Sequence, residues 1–126
     1  MAKYTHPDVL DAALNAIKTN AGRMVACSAL PTTFTEANVT YALADVTIDS
    51  SDFTGPAAGS SGGSRKVTVA AQADVTIDAS DTAINVAILD VTNSKILHVG
   101  ECNSLALVAG QKVNFPAWDI QFNAPT

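Results

Sequence analysis

The chain has 126 residues, the length of a single domain (residues 1–126), and its seven Lys and Arg stand against twelve Asp and Glu, which gives a net charge of -5. Only 15% of the residues are charged, against about 25% in an average globular protein. Binding to nucleic acid or to an anionic membrane surface needs a basic patch. The scattered basic residues form none, so we expect neither as a partner.

The sequence also indicates the compartment in which the chain folds. The stretch MAKYTHPDVLDAALNAIK lacks the uninterrupted apolar centre of a signal peptide, and no apolar run approaches the roughly 20 residues that span a bilayer. The two cysteines, Cys27 and Cys102, each lie in an apolar or strand-like setting. A disulfide framework in so small a chain normally uses four or more. We therefore expect a cytoplasmic site of folding and reduced thiols, with a single bridge as the less favoured alternative.

The first predicted element is a helix over residues 6–21. Its apolar residues recur with helical spacing on one face: Leu10, Ala13, Leu14 and Ile17. Thr5 is predicted to cap the start, Pro7 suits the first turn, and Gly22 is predicted to end the helix. We expect the apolar stripe to pack on the rest of the domain, with contact to a partner as the alternative.

Residues 23–126 are predicted to form an antiparallel β-sandwich or a barrel-like domain. Short segments rich in Val, Ile, Ala and Thr follow one another closely, separated by turn signals such as DASD and TNSK. A parallel sheet would need crossover helices, and the pattern shows none. Pro31 and the polar TTFTEAN at 32–38 are predicted to close the first strand, and KILHVGE (95–101) and SLALVA (104–109) to be two strands. The Gly- and Ser-rich 55–64 is predicted to be a flexible surface loop.

One stretch occurs twice: ADVTIDSSD at 44–52 returns as ADVTIDASD at 73–81. Calcium binding would need acidic ligands that converge in a loop with a sharp-turn glycine. Here Asp45 and Asp49 lie along a strand, about 13 Å apart at ~3.3 Å per residue. We interpret the two copies as strand-to-turn elements of one sheet, with apolar residues inward and Asp and Thr outward.

No catalytic residue, cofactor site or metal site is predicted. Ser, His and Asp are present, but the G-x-S-x-G elbow and the G-x-x-x-x-G-K-[ST] phosphate loop are both absent. The two cysteines and the distant His6 and His98 lack metal-ligand spacing. Trp118 and Phe122, in PAWDIQF, could form a sugar platform but are more typical of a small core. The residues retained as a possible interaction surface are Leu10, Leu14, Ile17, Trp118 and Phe122.

The order of segments resembles a family of small virion proteins of tailed bacteriophages, usually encoded near the major capsid protein. The segments that carry the resemblance are HPDVLDAALNAIKTNAGRM (6–24), PTTFTEA (31–37), SSDFTG (50–55), RKVTVAA (65–71), IDASDTAINVAILD (77–90) and VNFPAWDIQF (113–122). They cover nearly the whole chain and contain no catalytic residues.

This resemblance leads us to expect a non-enzymatic structural protein that decorates or cements the outer surface of the head. The implied partner is the major capsid protein, with a homo-oligomer on the shell and assembly in the host bacterial cytoplasm. The negative charge favours the exterior over an inner surface that faces packaged DNA. A host- or glycan-binding module on the head or tail, using residues 55–64 or Trp118, is the alternative, and an enzyme such as a wall hydrolase ranks third.

Overall fold

The computed structural model describes residues 3–124, which form one N-terminal helix followed by nine antiparallel strands. The elements in chain order are α1 (Pro7–Asn20), β1 (Arg23–Cys27), β2 (Ala42–Thr47), β3 (Phe53–Ala58), β4 (Arg65–Val69), β5 (Gln72–Thr76), β6 (Asp81–Asp90), β7 (Lys95–Leu107), β8 (Lys112–Phe115) and β9 (Trp118–Phe122). The expected mainly β fold after one helix is confirmed, and the strands do not close into a barrel.

Three sheets share one core. A four-stranded sheet has the order β2-β1-β6-β7, a three-stranded sheet the order β3-β4-β9, and β5 pairs with β8 alone. Their inner faces contribute Met24, Val67, Ile88, Phe115 and Ile120 to a single apolar cluster. The arrangement is sandwich-like, and β7, at the end of the largest sheet, is one long strand where the sequence pattern predicted two.

The helix forms where expected, but its ends differ from the prediction. His6 rather than Thr5 caps the start, because its Nδ1 accepts a hydrogen bond of 3.1 Å from the N–H of Asp8. Gly22 does not end the helix in a left-handed conformation. It connects β6 with the residue that follows β2 instead: its N–H donates to the carbonyl of Leu89 at 2.8 Å, and its own carbonyl accepts from the N–H of Ile48 at 3.2 Å.

Part of the apolar stripe of α1 packs inside the domain, whereas Ala13, which was predicted on the same face, is exposed and Leu10 is partly buried. Leu14 and Ile17 are 0% and 5% exposed and belong to the shared core. A bidentate ion pair holds the same helix to β4, with Arg65 Nε and Nη2 2.7 Å and 3.1 Å from the two carboxylate oxygens of Asp11. Two parallel N–H···O contacts fix orientation as well as distance, so the helix has a defined position on the sheet.

The segment between β1 and β2 covers the outer face of the four-stranded sheet. Where the sequence predicted only a polar closing stretch, Glu36–Thr40 forms a π-helical turn whose Ala37 is buried. The Oε1 of Glu36 accepts hydrogen bonds from the N–H groups of Thr32 and Thr33. A second apolar cluster lies beneath this turn and includes Val25, Cys27, Ala37, Ala87 and Leu89.

The predicted loop over 55–64 is shorter than expected. β3 continues to Ala58, so 55–58 is strand, and only 59–64 connects β3 to β4. This connection is held by hydrogen bonds: the N–H of Gly59 donates to the carbonyl of Ser64 at 2.9 Å, and the N–H of Ser60 donates to Gln121 Oε1 at 2.9 Å.

The repeated stretch does not lie in one sheet, contrary to the prediction. Its first copy forms β2, in the four-stranded sheet, and its second forms β5, which pairs with β8. The copies touch through a bridge between Ala44 and Ile77 and a hydrogen bond of 2.7 Å from the N–H of Asp78 to the carbonyl of Leu43. The alternation of apolar and acidic residues was right, but which strands pair depends on contacts distant in sequence.

Candidate functional site

An apolar cleft of about 350 Å³ lies between the four-stranded sheet and the β8–β9 segment. Its walls come from β1, β6, β7, β8 and β9, and its lining residues are Ala26, Ala83, Val86, Glu101, Cys102, Asn103, Ser104, Leu105, Leu107, Val113, Asn114, Phe115, Pro116 and Trp118. Cavities of this size with mostly apolar walls are typical of sites that bind apolar groups.

A bulge in β7 forms one wall of the cleft. Asn85 pairs with Glu101 and Ala83 with Leu105, so three residues of β7, at 102–104, stand opposite the single residue Ile84 of β6. Extra residues on one strand disrupt the ladder and bend that strand. Because all of 101–105 lines the cleft, the bulge lies at the place where the sandwich is left open.

Trp118 packs against β7 on the side of the four-stranded sheet that faces the cleft. Its ring lies 5.9 Å from that of His98, centroid to centroid, with the planes tilted by 31°. A Cβ atom on Gly100 would lie only 3.0 Å from Cζ3 of the indole, so glycine is what allows this close approach. Among the described residues the indole Nε1 is buried without a hydrogen-bond acceptor. Burial lowers the pKa of His98, which keeps its imidazole neutral at neutral pH.

The cleft carries little charge. Glu101 is the only acidic residue in its lining, and no Lys or Arg contributes to it. Burial raises the pKa of the Cys102 thiol above its usual range, so the protonated form dominates at neutral pH. A reactive cysteine needs the opposite shift, toward the thiolate. The cleft therefore offers apolar contact rather than an activated nucleophile.

The acidic residues of the repeated stretch serve local structure. The carboxylate of Asp49 accepts from the N–H of Ser51 at 2.8 Å, and Asp52 accepts from the N–H of Asp49 at 2.9 Å, which caps the 3₁₀ turn Ser50–Asp52. Hydrogen bonds from the hydroxyl and N–H of Ser51 lower the pKa of Asp49. Within residues 3–124 no group of three His, Cys, Asp or Glu side chains is placed to hold a metal ion.

The structure does not place the sequence-selected interaction residues on one open surface. Leu14 and Ile17 are buried in the core of the chain, so they are not available as an open surface, and Leu10 is partly exposed on the same helix. Trp118 lines the cleft, whereas Phe122 lies outside it, at the far end of β9 opposite Arg65. Trp118 and Phe122 both pack against the core cluster that contains Leu14 and Ile17, so these side chains contribute to the interior of the domain rather than to one exposed surface.

Sequence reasoning missed the bulge residues that form the cleft. In KILHVGECNSLAL the regular alternation stops at GECNS, and we interpreted this interruption as a gap between two strands. A break in alternation between two strong strand patterns is also typical of a bulge within one strand. That signal could have directed attention to Cys102, Asn103 and Ser104, although not to Val113 and Phe115 across the cleft.

Both cysteines are free in the structure. Cys27 contributes to the apolar cluster on the outer face of the four-stranded sheet, and Cys102 lines the cleft on the inner face. Burial, with a smaller contribution from Cys102, raises the pKa of Cys27 to about 11. Side chains on opposite faces of a sheet point apart, so this geometry does not favour a disulfide between them.

Comparison of the chain with models of protein families, with curated proteins and with solved structures finds no match. In the part of the chain that the structure describes, no helix has the length and apolar character needed to cross a membrane.

Proposed function

We propose that this chain is a non-enzymatic structural protein of a tailed-bacteriophage virion, which binds the outer surface of the head as a decoration or cement protein. Its partner is the major capsid protein, and neighbouring copies contact one another on the shell. The proposal rests on the resemblance of the segments and on a fold whose cleft supports apolar contact rather than chemistry.

The observation that carries the proposal is the outer edge of β7. This strand spans Lys95–Leu107 and pairs only with β6 within the described residues. Lys95 and Glu101 are the only charged residues of this strand, since His98 is neutral. An open edge strand attracts other chains, and proteins usually protect such edges with charges, prolines or bulges. The bulge at 102–104 protects one half, and the low-charge remainder is suited to burial in an assembly.

Two exposed apolar side chains extend this surface. Leu105, directly after the bulge, is 53% exposed, and Val108, directly after β7, is 56% exposed. Charged residues are depleted from the centres of protein interfaces, and the low charge of the whole chain fits that pattern. A stable contact of standard size would bury about 800 Å² on each partner.

The direct test is cosedimentation of the purified protein with expanded capsid shells that lack it, compared with unexpanded precursor shells. We expect saturable binding to expanded shells at a fixed number of sites per shell. Binding should persist at about 1 M salt, where surface charges are screened within roughly 3 Å. Retention by neither kind of shell would overturn the proposal and favour the host- or glycan-binding alternative.

A pair of variants locates the contact on β7. Leu105→Lys places a charge at the exposed edge and should weaken shell binding at least about tenfold, while leaving the melting temperature nearly unchanged. Val39→Lys is the matched control, because Val39 is 67% exposed and belongs to the π-helical turn rather than to the edge strand. Equal binding by both variants and the parent protein would exclude this edge as the contact surface.

A further inference from the structure

We propose that the cleft binds a neutral apolar small molecule of about the size of a bicyclic aromatic compound. This inference goes beyond the structural role proposed above and does not depend on it. It rests on the volume of the cleft, the charge of its walls and the form of the β7 bulge.

The volume sets the size of the ligand. The cleft measures about 350 Å³. An engineered apolar cavity of about 150 Å³ binds benzene, and pockets for small molecules begin at about 300 Å³. The cleft is therefore too large for a single small ring to fill well and matches two fused or linked rings.

The walls set the polarity of the ligand. Ala26, Val86, Val113, Phe115 and Trp118 form apolar surface, and no basic side chain is present to pair with an anion. Glu101 is the only charged residue of the lining and is acidic, and the chain as a whole is acidic. A buried charge without a partner is costly, so an anionic head group would lack a basic partner and would also be repelled by the acidic surroundings. A neutral apolar ligand avoids both effects.

The bulge favours a compact ligand over a peptide strand. A strand that adds to a sheet edge needs a continuous row of free N–H and C=O groups. Residues 102–104 interrupt that row where the cleft opens. Asn103, Ser104 and Asn114 add polar groups to the lining, which gives a small molecule hydrogen-bonding partners without requiring an extended backbone.

Two fluorescent probes that share one ring system but differ in charge test whether the cleft binds a ligand of this size and whether it prefers a neutral one. Dansylamide is a neutral naphthalene derivative, and 5-dimethylaminonaphthalene-1-sulfonate carries the same two fused rings with a negative charge. We expect saturable one-to-one binding of the neutral probe and at least about tenfold weaker binding of the sulfonate. Trp118 is the only tryptophan in the chain and lines the cleft, so its emission should change in parallel. Glu101→Gln should narrow the difference between the probes.

A substitution that fills the cleft tests whether the probe binds there. Ala83→Leu adds bulk to a wall of the cleft and should weaken the neutral probe at least about tenfold. Ala106→Leu is the same substitution on the same hairpin at an exposed position outside the lining, and it should bind the probe as the parent protein does. Equal affinity of the two variants, or equal affinity of the two probes for the parent protein, would overturn the proposal.

A measurement on the unaltered protein guards against misfolding of Ala83→Leu. The neutral probe should slow alkylation of Cys102 at least about fivefold, because Cys102 lines the cleft. Unchanged alkylation at saturating probe would contradict binding at this site. A dimer that excludes the probe, and that Leu105→Lys dissociates, would also overturn the proposal, since a second copy of the chain would then occupy the cleft.

Discussion

Leu14 is the residue of α1 that is most completely buried against the sheets. It is fully buried in the main core, whereas Val9 on the same helix is 60% exposed. Helical spacing in the sequence predicted which residues share a face, and it predicted that this face packs on the domain. It could not predict the ion pair of Asp11 with Arg65, because nothing local indicates which strand the helix lies on.

We expect Leu14→Ala to lower the free energy of unfolding by about 2–5 kcal/mol, the usual cost of removing a fully buried leucine. The loss combines reduced apolar burial with a cavity that the surroundings only partly fill. Val9→Ala on the exposed side is the control and should change stability by less than about 0.5 kcal/mol. Urea denaturation of both variants measures this, and equal stabilities would mean that the helix does not pack as described.

The two thiols should differ in reactivity in the folded protein. Cys27 is fully buried with a pKa raised to about 11, so it forms little thiolate below that pH, whereas Cys102 is only partly buried. At about pH 8 we expect an alkylating reagent to modify Cys102 and leave Cys27 intact. Mass spectrometry identifies the modified residue.

Denaturation without reduction supplies the control for this experiment. Both cysteines should then be alkylated, because both are free. Finding fewer than two modified thiols in the denatured protein would indicate a bridge and would contradict a reducing site of folding.

At the scale of elements, the β6–β7 hairpin shows how far local sequence determines structure. Its turn signal TNSK and both strand patterns were visible in the sequence, and Asp90 organises the turn as its side chain accepts from Asn93 N–H at 3.1 Å and Nδ2 at 2.8 Å. The bulge was missed because a break in alternation is typical both of a gap between two strands and of a bulge, and only the pairing with β6 distinguishes them. The same limitation explains the wrong assignment of the repeated stretch to one sheet.

Asp90 makes this hairpin sensitive to acid. Hydrogen bonds from Asn93, first from its side chain and then from its N–H, lower the pKa of Asp90 below the usual value. A group with a lowered folded-state pKa contributes stability above its unfolded pKa of about 3.9, and this contribution is lost as pH falls through the folded value. We expect Asp90→Asn to be less stable than the parent protein at about pH 7, with the gap closing below about pH 4.

Denaturant titrations at several pH values measure that gap. Asp119 also has a lowered pKa, through hydrogen bonds from Thr68 and Lys66, so the parent protein should lose stability in acid for more than one reason. Asp119→Asn is therefore the matched control. It should also be less stable than the parent protein at neutral pH, and the loss of stability in the double variant should be the sum of the two single losses. A gap for Asp90→Asn that does not change with pH would contradict the role given to its ionised form.

At the scale of the whole molecule, the pattern of segments predicted the class of fold but not the position of the cleft. Short alternating segments without crossover helices indicated antiparallel sheets, and residues 3–124 form them. The cleft draws its walls from five strands spread from Ala26 to Trp118. No window of sequence contains such a site, and none of its residues carries a motif, so only the fold could bring them together.

We expect the intact protein to unfold at the same temperature with and without calcium or zinc. The carboxylates of Asp49 and Asp52 are engaged in capping hydrogen bonds rather than converging on an empty centre. A metal ion at 100 times its dissociation constant would add about 2.7 kcal/mol of stability, an effect that thermal melts detect easily. A reproducible rise in melting temperature with micromolar calcium would contradict this reading of the repeated stretch.

The position of β1 between β2 and β6 has a consequence for synthesis of the chain. β1 can pair with β2 as soon as Ala42–Thr47 has left the ribosome, but its other edge waits for Asp81–Asp90. At elongation rates of about 5–20 residues per second, this delay is on the order of seconds. During that time a strand with four of its five residues destined for burial is open to other nascent chains. We therefore expect the yield of soluble protein to depend on translation speed and chaperone supply even where the finished fold is stable, which a comparison of soluble fractions at fast and slow expression measures.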